Sequence, residues 1–156
     1  MILYHGSTIE IERIDLAKSK PNKDFGKAFY LSVDKEQAME MAQFKAEFED
    51  KTPVVNEYEF DETLLHELRY KRFNGYSEEW AHFVYDHRTE PSGLTLHDYD
   101  VVYGPIANDR IGAQITRYKQ GYITFGEFLK RIQYIKGITF QYAFCTQKAI
   151  EKLIKR

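Results

Sequence analysis

The chain has very few of the residues that form disulfides or bind structural metals. Its 156 residues include one cysteine, Cys145, which excludes an internal disulfide and any zinc site built from a cysteine cluster. The five histidines show no HExxH or similar spacing, and His82 and His87 lie five residues apart, which suits a single helix face poorly. We therefore predict that the protein has no metal site.

Long apolar runs and a large excess of either charge are also missing. No run of 18 apolar residues occurs, so we expect no transmembrane helix. The first residues have neither a basic start nor a long apolar stretch, which predicts a cytoplasmic protein without a signal peptide. The formal net charge of −2 argues against a general affinity for nucleic acid or for acidic membranes, and it leaves room for a local basic patch.

Aromatic residues, in contrast, are abundant. The chain contains 12 tyrosines and 11 phenylalanines, so we expect tyrosine to line pockets as well as the core. A length of 156 residues suits one domain, residues 1–156, with a sizeable core.

Hydrophobic periodicity, capping residues and turn residues predict strands and helices in an irregular order. The predicted strands cover residues 2–7, 26–32, 54–60, 99–103 and 138–145. The predicted helices follow the capping residues Asp34, Ser77, Thr124 and Thr146, with a short helix within 61–73 and another within 106–118. This order favours an α+β fold over a doubly wound parallel sheet.

Three segments carry predictions about orientation or extent. The apolar residues of the helix after Asp34 are predicted to share one face: Ala38, Met41, Ala42 and Phe48. Residues 17–24 are rich in lysine and read as an exposed loop, either a solvated connector or a functional loop beside a strand end. The helix after Thr146 is predicted to continue to the basic C-terminal residues 152–156.

The first candidate site lies at the end of the first strand. His5, Gly6 and Ser7 place an imidazole, a bare backbone and a hydroxyl together. The imidazole can exchange a hydrogen bond with a sugar hydroxyl, and glycine allows a ligand to approach the backbone closely. The alternative is a structural histidine whose ring nitrogens are satisfied within the protein.

A second candidate site lies on the next predicted strand. Tyr30 offers a flat ring on which an aromatic ligand can stack, and Ser32 offers a hydroxyl. The alternative is a core strand with Phe29 and Leu31 directed inward. The two interpretations are compatible because alternate strand residues face opposite sides.

Two further candidates lie in the second half of the chain. Asn108, Asp109 and Arg110 follow Gly104-Pro105, which predicts a turn, and they combine an amide, an acid and a cation that can bind phosphate. The alternative for this triplet is a helix cap with a surface ion pair. Gln141 interrupts an aromatic strand, and its amide can make two hydrogen bonds to a ligand if it faces a cleft rather than water.

Taken together, these stretches resemble the ADP-ribosyltransferase superfamily, and more narrowly a bacterial ADP-ribosyltransferase-like family of unknown function. Tyr4-His5-Gly6-Ser7 matches a first-strand His-Gly motif, and Ala28-Phe29-Tyr30-Leu31-Ser32 matches a second motif with tyrosine before a hydroxyl residue. Gln141 is the best match to a glutamate on a late strand. The resemblance covers nearly the whole chain and includes residues 80–88 and 98–109.

The resemblance implies a split, mostly antiparallel β-sheet with flanking helices and with NAD, as substrate, in the central cleft. It implies that His5 holds the adenosine ribose and that the Gly6 backbone grips the nicotinamide carboxamide. Tyr30 would stack on the nicotinamide ring, and Ser32 would support the carboxamide or the ribose. The implied activity is that of an NAD-dependent mono-ADP-ribosyltransferase, or an NAD glycohydrolase, with an unknown protein or nucleic-acid acceptor. Relatives of this type are often toxin-like modules beside a small neutralising partner, so a toxin role and such a partner are expectations of the resemblance.

Gln141 departs from the family pattern, because a neutral amide cannot supply the charge of a carboxylate that stabilises a ribosyl cation. Either Gln141 only positions the ribose, or Asp109 supplies the missing carboxylate with Asn108 and Arg110 beside it. Arg88 and Arg110 are candidates for the NAD pyrophosphate, with structural or surface roles as the alternative. Two other functions remain open: an inactive module that binds NAD or another nucleotide, and a protein-interaction module that does not respond to NAD.

Overall fold

A computed structural model describes all of residues Met1–Arg156 and shows one seven-stranded sheet with flanking helices. The strands are β1 (Ile2–Ser7), β2 (Phe29–Ser32), β3 (Val54–Glu59), β4 (Tyr70–Arg72), β5 (Val101–Pro105), β6 (Phe140–Phe144) and β7 (Ile154–Lys155). The α-helices are α1 (Lys35–Glu49), α2 (Glu78–Thr89), α3 (Ile111–Lys119), α4 (Phe125–Arg131) and α5 (Gln147–Ile150), and 3-10 helices cover Leu16–Lys18 and Glu62–Glu67.

The strand order is β4-β5-β6-β2-β1-β3-β7, and every neighbouring pair is antiparallel except β4 and β5. The predicted α+β class is therefore confirmed. Four predicted helix starts are also confirmed, because the side chains of the capping residues accept backbone N–H groups in the first turn of each helix: Asp34, Ser77, Thr124 and Thr146. None of the helices combines the length and the hydrophobicity that a membrane-spanning helix requires.

Of all neighbouring strands in the sheet, β1 and β2 share the fewest paired residues. All six residues of β1 pair with β3, and all four residues of β2 pair with β6. Between β1 and β2, in contrast, the only paired residues are Tyr4 and Ser32. The two halves of the sheet are thus joined by one short contact, and this division lies beside the candidate residues of β1 and β2.

Apolar side chains cover both faces of the sheet. The neighbours Val101 and Val102 on β5 are fully buried in different clusters, as expected for adjacent residues of a strand. One cluster contains Trp80 and Val84 of α2 and also Phe128 of α4. The other cluster is built from residues of the sheet itself and of the segments that cover its second face.

The buried face of α1 differs from the prediction. Its buried residues are Ala38, Ala42 and Ala46, whereas Met41 is 41% exposed and Phe48 is 87% exposed. The reason is the closeness of helix and strand at Gly6, where an added Cβ would lie 2.1 Å from the carbonyl oxygen of Ala38. Only small side chains fit at this distance, so the large apolar residues of α1 lie on its outer side.

The C-terminal segment and residues 61–73 also differ from the prediction. Helix α5 ends at Ile150, and the chain then forms β7, which pairs with β3 at the edge of the sheet. The short helix within 61–73 is a 3-10 helix, and it is followed by β4, which was not predicted. Strands of two and three residues are too short to show the two-residue period from which strands are recognised.

Candidate functional site

A cleft of about 750 Å³ opens at the junction of β1 and β2. Its volume lies within the range of small-molecule sites. The cleft is bounded by β1, β2, α1 and the segments 9–24 and 106–112. Eight of the sequence-predicted residues line it: His5, Gly6, Tyr30, Ser32, Arg88, Asn108, Asp109 and Gln141.

Two predicted ligand-binding residues lie outside this lining. Ser7, the last residue of β1, accepts a hydrogen bond from the backbone N–H of Ile9 at 3.4 Å. Arg110 is exposed and comes immediately before α3. The structure therefore gives neither side chain a place in the cleft.

His5 is held in a defined orientation and protonation state. Its Nδ1 lies 2.7 Å from the carbonyl oxygen of Tyr30, and its ring stacks on Phe29 with centroids 4.2 Å apart. Burial lowers the pKa of His5 to about 4, and the charges of Lys45 and Lys23 lower it further, while the hydrogen bond that the ring donates to the Tyr30 carbonyl opposes them. Because a carbonyl only accepts, the neutral ring carries its proton on Nδ1, which leaves Nε2 as a hydrogen-bond acceptor.

Tyr30 uses its hydroxyl to fix the loop that precedes β2. The hydroxyl donates to the carbonyl oxygen of Gly26 at 2.6 Å and accepts from the backbone N–H of Phe25 at 2.9 Å. Burial, followed by the negative charge of Asp24, raises the pKa of Tyr30 well above its usual value. The hydroxyl is therefore occupied and neutral, and Tyr30 offers a ligand its ring.

Gly6 and Ser32 both contribute to the contact with α1. The side of Gly6 on which a Cβ would stand is filled by the backbone of α1. The carbonyl oxygen of Gly6 accepts a hydrogen bond from Nζ of Lys45 at 2.8 Å. The Ser32 hydroxyl accepts from the backbone N–H of Asp34 at 3.0 Å, which shapes the turn into α1. The missing side chain of Gly6 thus serves helix packing in this structure.

Asp24 is a buried carboxylate in the wall of the cleft, and sequence reasoning missed it. Its Oδ1 accepts a hydrogen bond from Nε of Arg88 at 2.7 Å and forms an ion pair with Nη2 of the same side chain, also at 2.7 Å. Its Oδ2 lies 3.4 Å from Nε2 of Gln141. The segment 17–24 was predicted to be exposed, whereas Asp24 is 7% exposed. No local signal identifies it, because its partners lie 64 and 117 residues away in the chain.

Four of the cations that line the cleft lie close enough to act on one another: Lys20, Lys23, Lys45 and Arg88. Burial lowers the pKa of Lys23, and the charges of Arg88 and Lys20 lower it further. Burial likewise lowers the pKa of Lys45, assisted by Lys23 and Lys20. None of the three lysines forms an ion pair. Their mutual repulsion favours an anionic ligand at this end of the cleft.

The turn predicted at Gly104-Pro105 is wrong, because both residues belong to β5 and pair with Gln141 and Phe140. In the triplet that follows, Asn108 connects two helices by hydrogen bonds, and Asp109 lies at the rim of the cleft. The Asn108 amide donates to the carbonyl oxygens of Arg131 and Gln133 at 2.5 and 3.0 Å, and its Oδ1 accepts from the backbone N–H of Arg110. These bonds tie the end of α4 to the start of α3. Asp109 is exposed at the edge of the cleft.

Comparison with known proteins identifies a family. No curated protein and no solved structure matches the chain. A family model described as "Protein of unknown function (DUF3990)" matches residues 1–154, which is nearly the whole sequence. The chain therefore belongs to the DUF3990 family.

Proposed function

We propose that the cleft binds NAD and that the protein is an NAD-dependent mono-ADP-ribosyltransferase-like enzyme with a protein or nucleic-acid acceptor. The observation that carries this proposal is the meeting of His5, Tyr30 and Gln141 in one cleft. These residues come from three distant parts of the chain, and the resemblance to the ADP-ribosyltransferase superfamily assigns all three to one NAD site. The cleft also lies where the sheet is nearly divided, as the resemblance implies.

The chemistry of the cleft is consistent with a dinucleotide. The ring of Tyr30 can stack on the nicotinamide ring. The amide of Gln141 can form hydrogen bonds to the ribose that carries it. The free Nε2 of His5 can accept a hydrogen bond from a ribose hydroxyl. The unpaired lysines Lys23 and Lys45 provide positive charge for a pyrophosphate. An aromatic surface and a cationic surface in one cleft match the two kinds of group that NAD contains.

A melting experiment with NAD tests the binding part of this proposal. A ligand that binds only the folded state adds about 2.7 kcal/mol to the free energy of unfolding at a hundredfold excess over its Kd. We expect this stabilisation in the wild type and its loss in His5→Ala and Tyr30→Ala. The exposed His66 lies outside the cleft lining, so His66→Ala serves as a matched control that keeps the response.

Release of nicotinamide tests the enzymatic part. Release by the wild type, lost together with NAD binding in the two cleft variants, is the expected result. The absence of any thermal response to NAD in a folded sample would contradict the proposal and favour the protein-interaction module. A toxin role and a small neutralising partner remain proposals that rest on the resemblance alone.

A second candidate function is a nucleotide-binding module without transferase activity. The observation that favours it is the neutral amide of Gln141 at the position where the family pattern has a carboxylate. Stabilisation by NAD without nicotinamide release, with or without added acceptor, is the result that this alternative predicts.

A further inference from the structure

One carboxylate in the cleft stands apart from the others by its burial. Five acidic residues line the cleft, and four of them are exposed: Glu10, Glu12, Asp15 and Asp109. The fifth, Asp24, is 7% exposed. Burying a charge is costly unless partners compensate it, so the environment of Asp24 shows what holds it there.

The carboxylate of Asp24 is fixed from two sides. Arg88 on α2 holds Oδ1 with a hydrogen bond from Nε and an ion-pair contact from Nη2, each at 2.7 Å. The loop that carries Asp24 is itself tied to the end of α2, because the Asn22 amide donates to the carbonyl oxygens of His87 and Glu90 at 3.0 and 2.8 Å. The position of the carboxylate is thus set by contacts of the loop and of the carboxylate itself with α2.

The second oxygen of Asp24 retains most of its capacity to accept hydrogen bonds. Its contact in the structure is Nε2 of Gln141 at 3.4 Å, which is a long bond. A carboxylate oxygen can accept about two hydrogen bonds, so Oδ2 can take a further partner. Arginine–carboxylate pairs frequently place one N–H on each oxygen, whereas both Arg88 nitrogens lie at Oδ1 here. The free hydrogen-bonding capacity of Oδ2 lies beside the side-chain amide of Gln141 on β6.

We propose that Asp24, held by Arg88 and set beside Gln141, is the carboxylate that stabilises the ribosyl cation and accepts the proton of the attacking nucleophile. This inference rests on the proposed function. The glycosidic C–N bond of NAD breaks, and its electron pair leaves with neutral nicotinamide. The ribosyl carbon becomes cationic and is stabilised by the negative charge of Asp24. Water then forms the new C–O bond and gives its proton to Oδ2, from which it passes to solvent, so the products are nicotinamide, ADP-ribose and a proton.

The division of labour between the two side chains follows from their charges. Gln141 is neutral and can hold a ribose hydroxyl by hydrogen bonds, whereas Asp24 supplies the negative charge that Gln141 lacks. β6 carries Gln141 where the family pattern has a glutamate. Asp24, in the loop before β2, therefore supplies the carboxylate. Asp109 is the competing carboxylate, and its exposure to solvent weakens any charge stabilisation that it can provide.

The test compares Asp24→Asn with the double variant Asp24→Asn/Gln141→Glu, which exchanges the positions of amide and carboxylate. We expect Asp24→Asn to bind NAD within about threefold of the wild type and to release nicotinamide about a hundredfold more slowly, because the lost group acts in the transition state. We expect the exchange variant to release nicotinamide at least tenfold faster than Asp24→Asn does. Asp86 is an exposed carboxylate on the same helix as Arg88, so Asp86→Asn is the matched control with an unchanged rate.

The outcomes separate this inference from the proposed function. An active wild type with equal release by Asp24→Asn would overturn the role of Asp24 and leave the proposed function intact, as would a loss of release confined to Asp109→Asn. A wild type that neither binds NAD nor releases nicotinamide would overturn both. If Asp24→Asn does not fold, Asp24→Glu replaces it. That variant keeps the ion pair and moves the carboxylate by one methylene, so release equal to the wild type contradicts the inference.

Discussion

At the scale of single residues, His5 shows how the cleft sets the chemistry of a side chain. Its ring is enclosed by Phe29 and faces the positive charges of Lys45 and Lys23. Both effects disfavour the imidazolium, so the pKa falls to about 4. The ring is consequently neutral at physiological pH, and its Nε2 stays available as an acceptor.

The lowered pKa of His5 predicts a loss of stability in acid. As the pH falls from 6.5 towards 4, the unfolded chain binds a proton at this histidine before the folded protein does. Above about pH 6.5, His5 therefore makes its full contribution to the free energy of unfolding. That contribution decreases by roughly 3 kcal/mol as the pH falls to 4. Urea unfolding of the wild type and of His5→Gln, measured between pH 7 and pH 4, checks this.

His87 and His97 also have lowered pKa values, chiefly because of burial, and destabilise the protein in the same pH range. Both the wild type and His5→Gln contain these two histidines. Their contribution therefore cancels when the free energies of unfolding of the two proteins are subtracted. Between pH 7 and pH 4 we expect the free energy of unfolding of the wild type to fall by roughly 3 kcal/mol more than that of His5→Gln. Parallel pH curves for the two proteins would contradict the assignment of a buried neutral His5.

Single residues also show what the sequence can and cannot predict about the site. His5, Tyr30 and Gln141 are recognisable because each lies in a strand-like apolar run with a polar residue at a defined place. Asp24 lies in a loop rich in lysine, and nothing near it in the sequence distinguishes it from a solvated residue. Its burial depends on Arg88, and a pairing over 64 residues is a property of the folded chain.

At the scale of elements, the packing of α1 on β1 explains most of the difference between the predicted and observed helix face. Hydrophobicity alone favours Met41 and Phe48 as the inward residues. The short distance between helix and strand at Gly6 reverses this preference, because only alanine fits opposite the strand. The sequence contains the small residues, yet the distance that makes them necessary emerges only when the two elements pack.

This packing predicts opposite effects for two glycine-to-alanine changes. A Cβ at Gly6 would lie 2.1 Å from the carbonyl oxygen of Ala38 and 2.8 Å from the backbone nitrogen of Ala42. Backbone atoms cannot move aside cheaply, so we expect Gly6→Ala to lower the free energy of unfolding by about 3 kcal/mol. At Gly112 in α3, a Cβ meets no atom within 4 Å, and alanine there should stabilise the helix by up to about 1 kcal/mol.

Denaturant unfolding of the two variants beside the wild type measures both changes. Their opposite signs separate the steric effect from the general preference of helices and strands for alanine over glycine. Equal stability of Gly6→Ala and the wild type would show that α1 does not approach β1 as closely as the structure indicates.

At the scale of the whole molecule, the cleft belongs to the division of the sheet. The contact of Tyr4 with Ser32 is the only strand pairing that joins the β4-β5-β6-β2 half to the β1-β3-β7 half. A ligand in the cleft contacts both halves and therefore favours the state in which they are joined. The α+β class was predictable from the order of elements, whereas this division depends on a strand register that sequence periodicity does not specify.

The position of the cleft predicts where NAD slows amide hydrogen exchange. A bound ligand slows amide exchange only where the local unfolding that exposes the amide also releases the ligand. At a hundredfold excess of ligand over its Kd, that exchange slows by a factor of about one hundred. We expect this protection for residues 17–24 and 29–32, which border the cleft. Residues 154 and 155 of β7 lie at the far edge of the sheet and exchange by local fraying, so their rates should not change. Adenosine, which lacks the pyrophosphate and the nicotinamide, is the control ligand and should protect neither region. Protection of β7 without protection of residues 29–32 would place the NAD site elsewhere on the molecule.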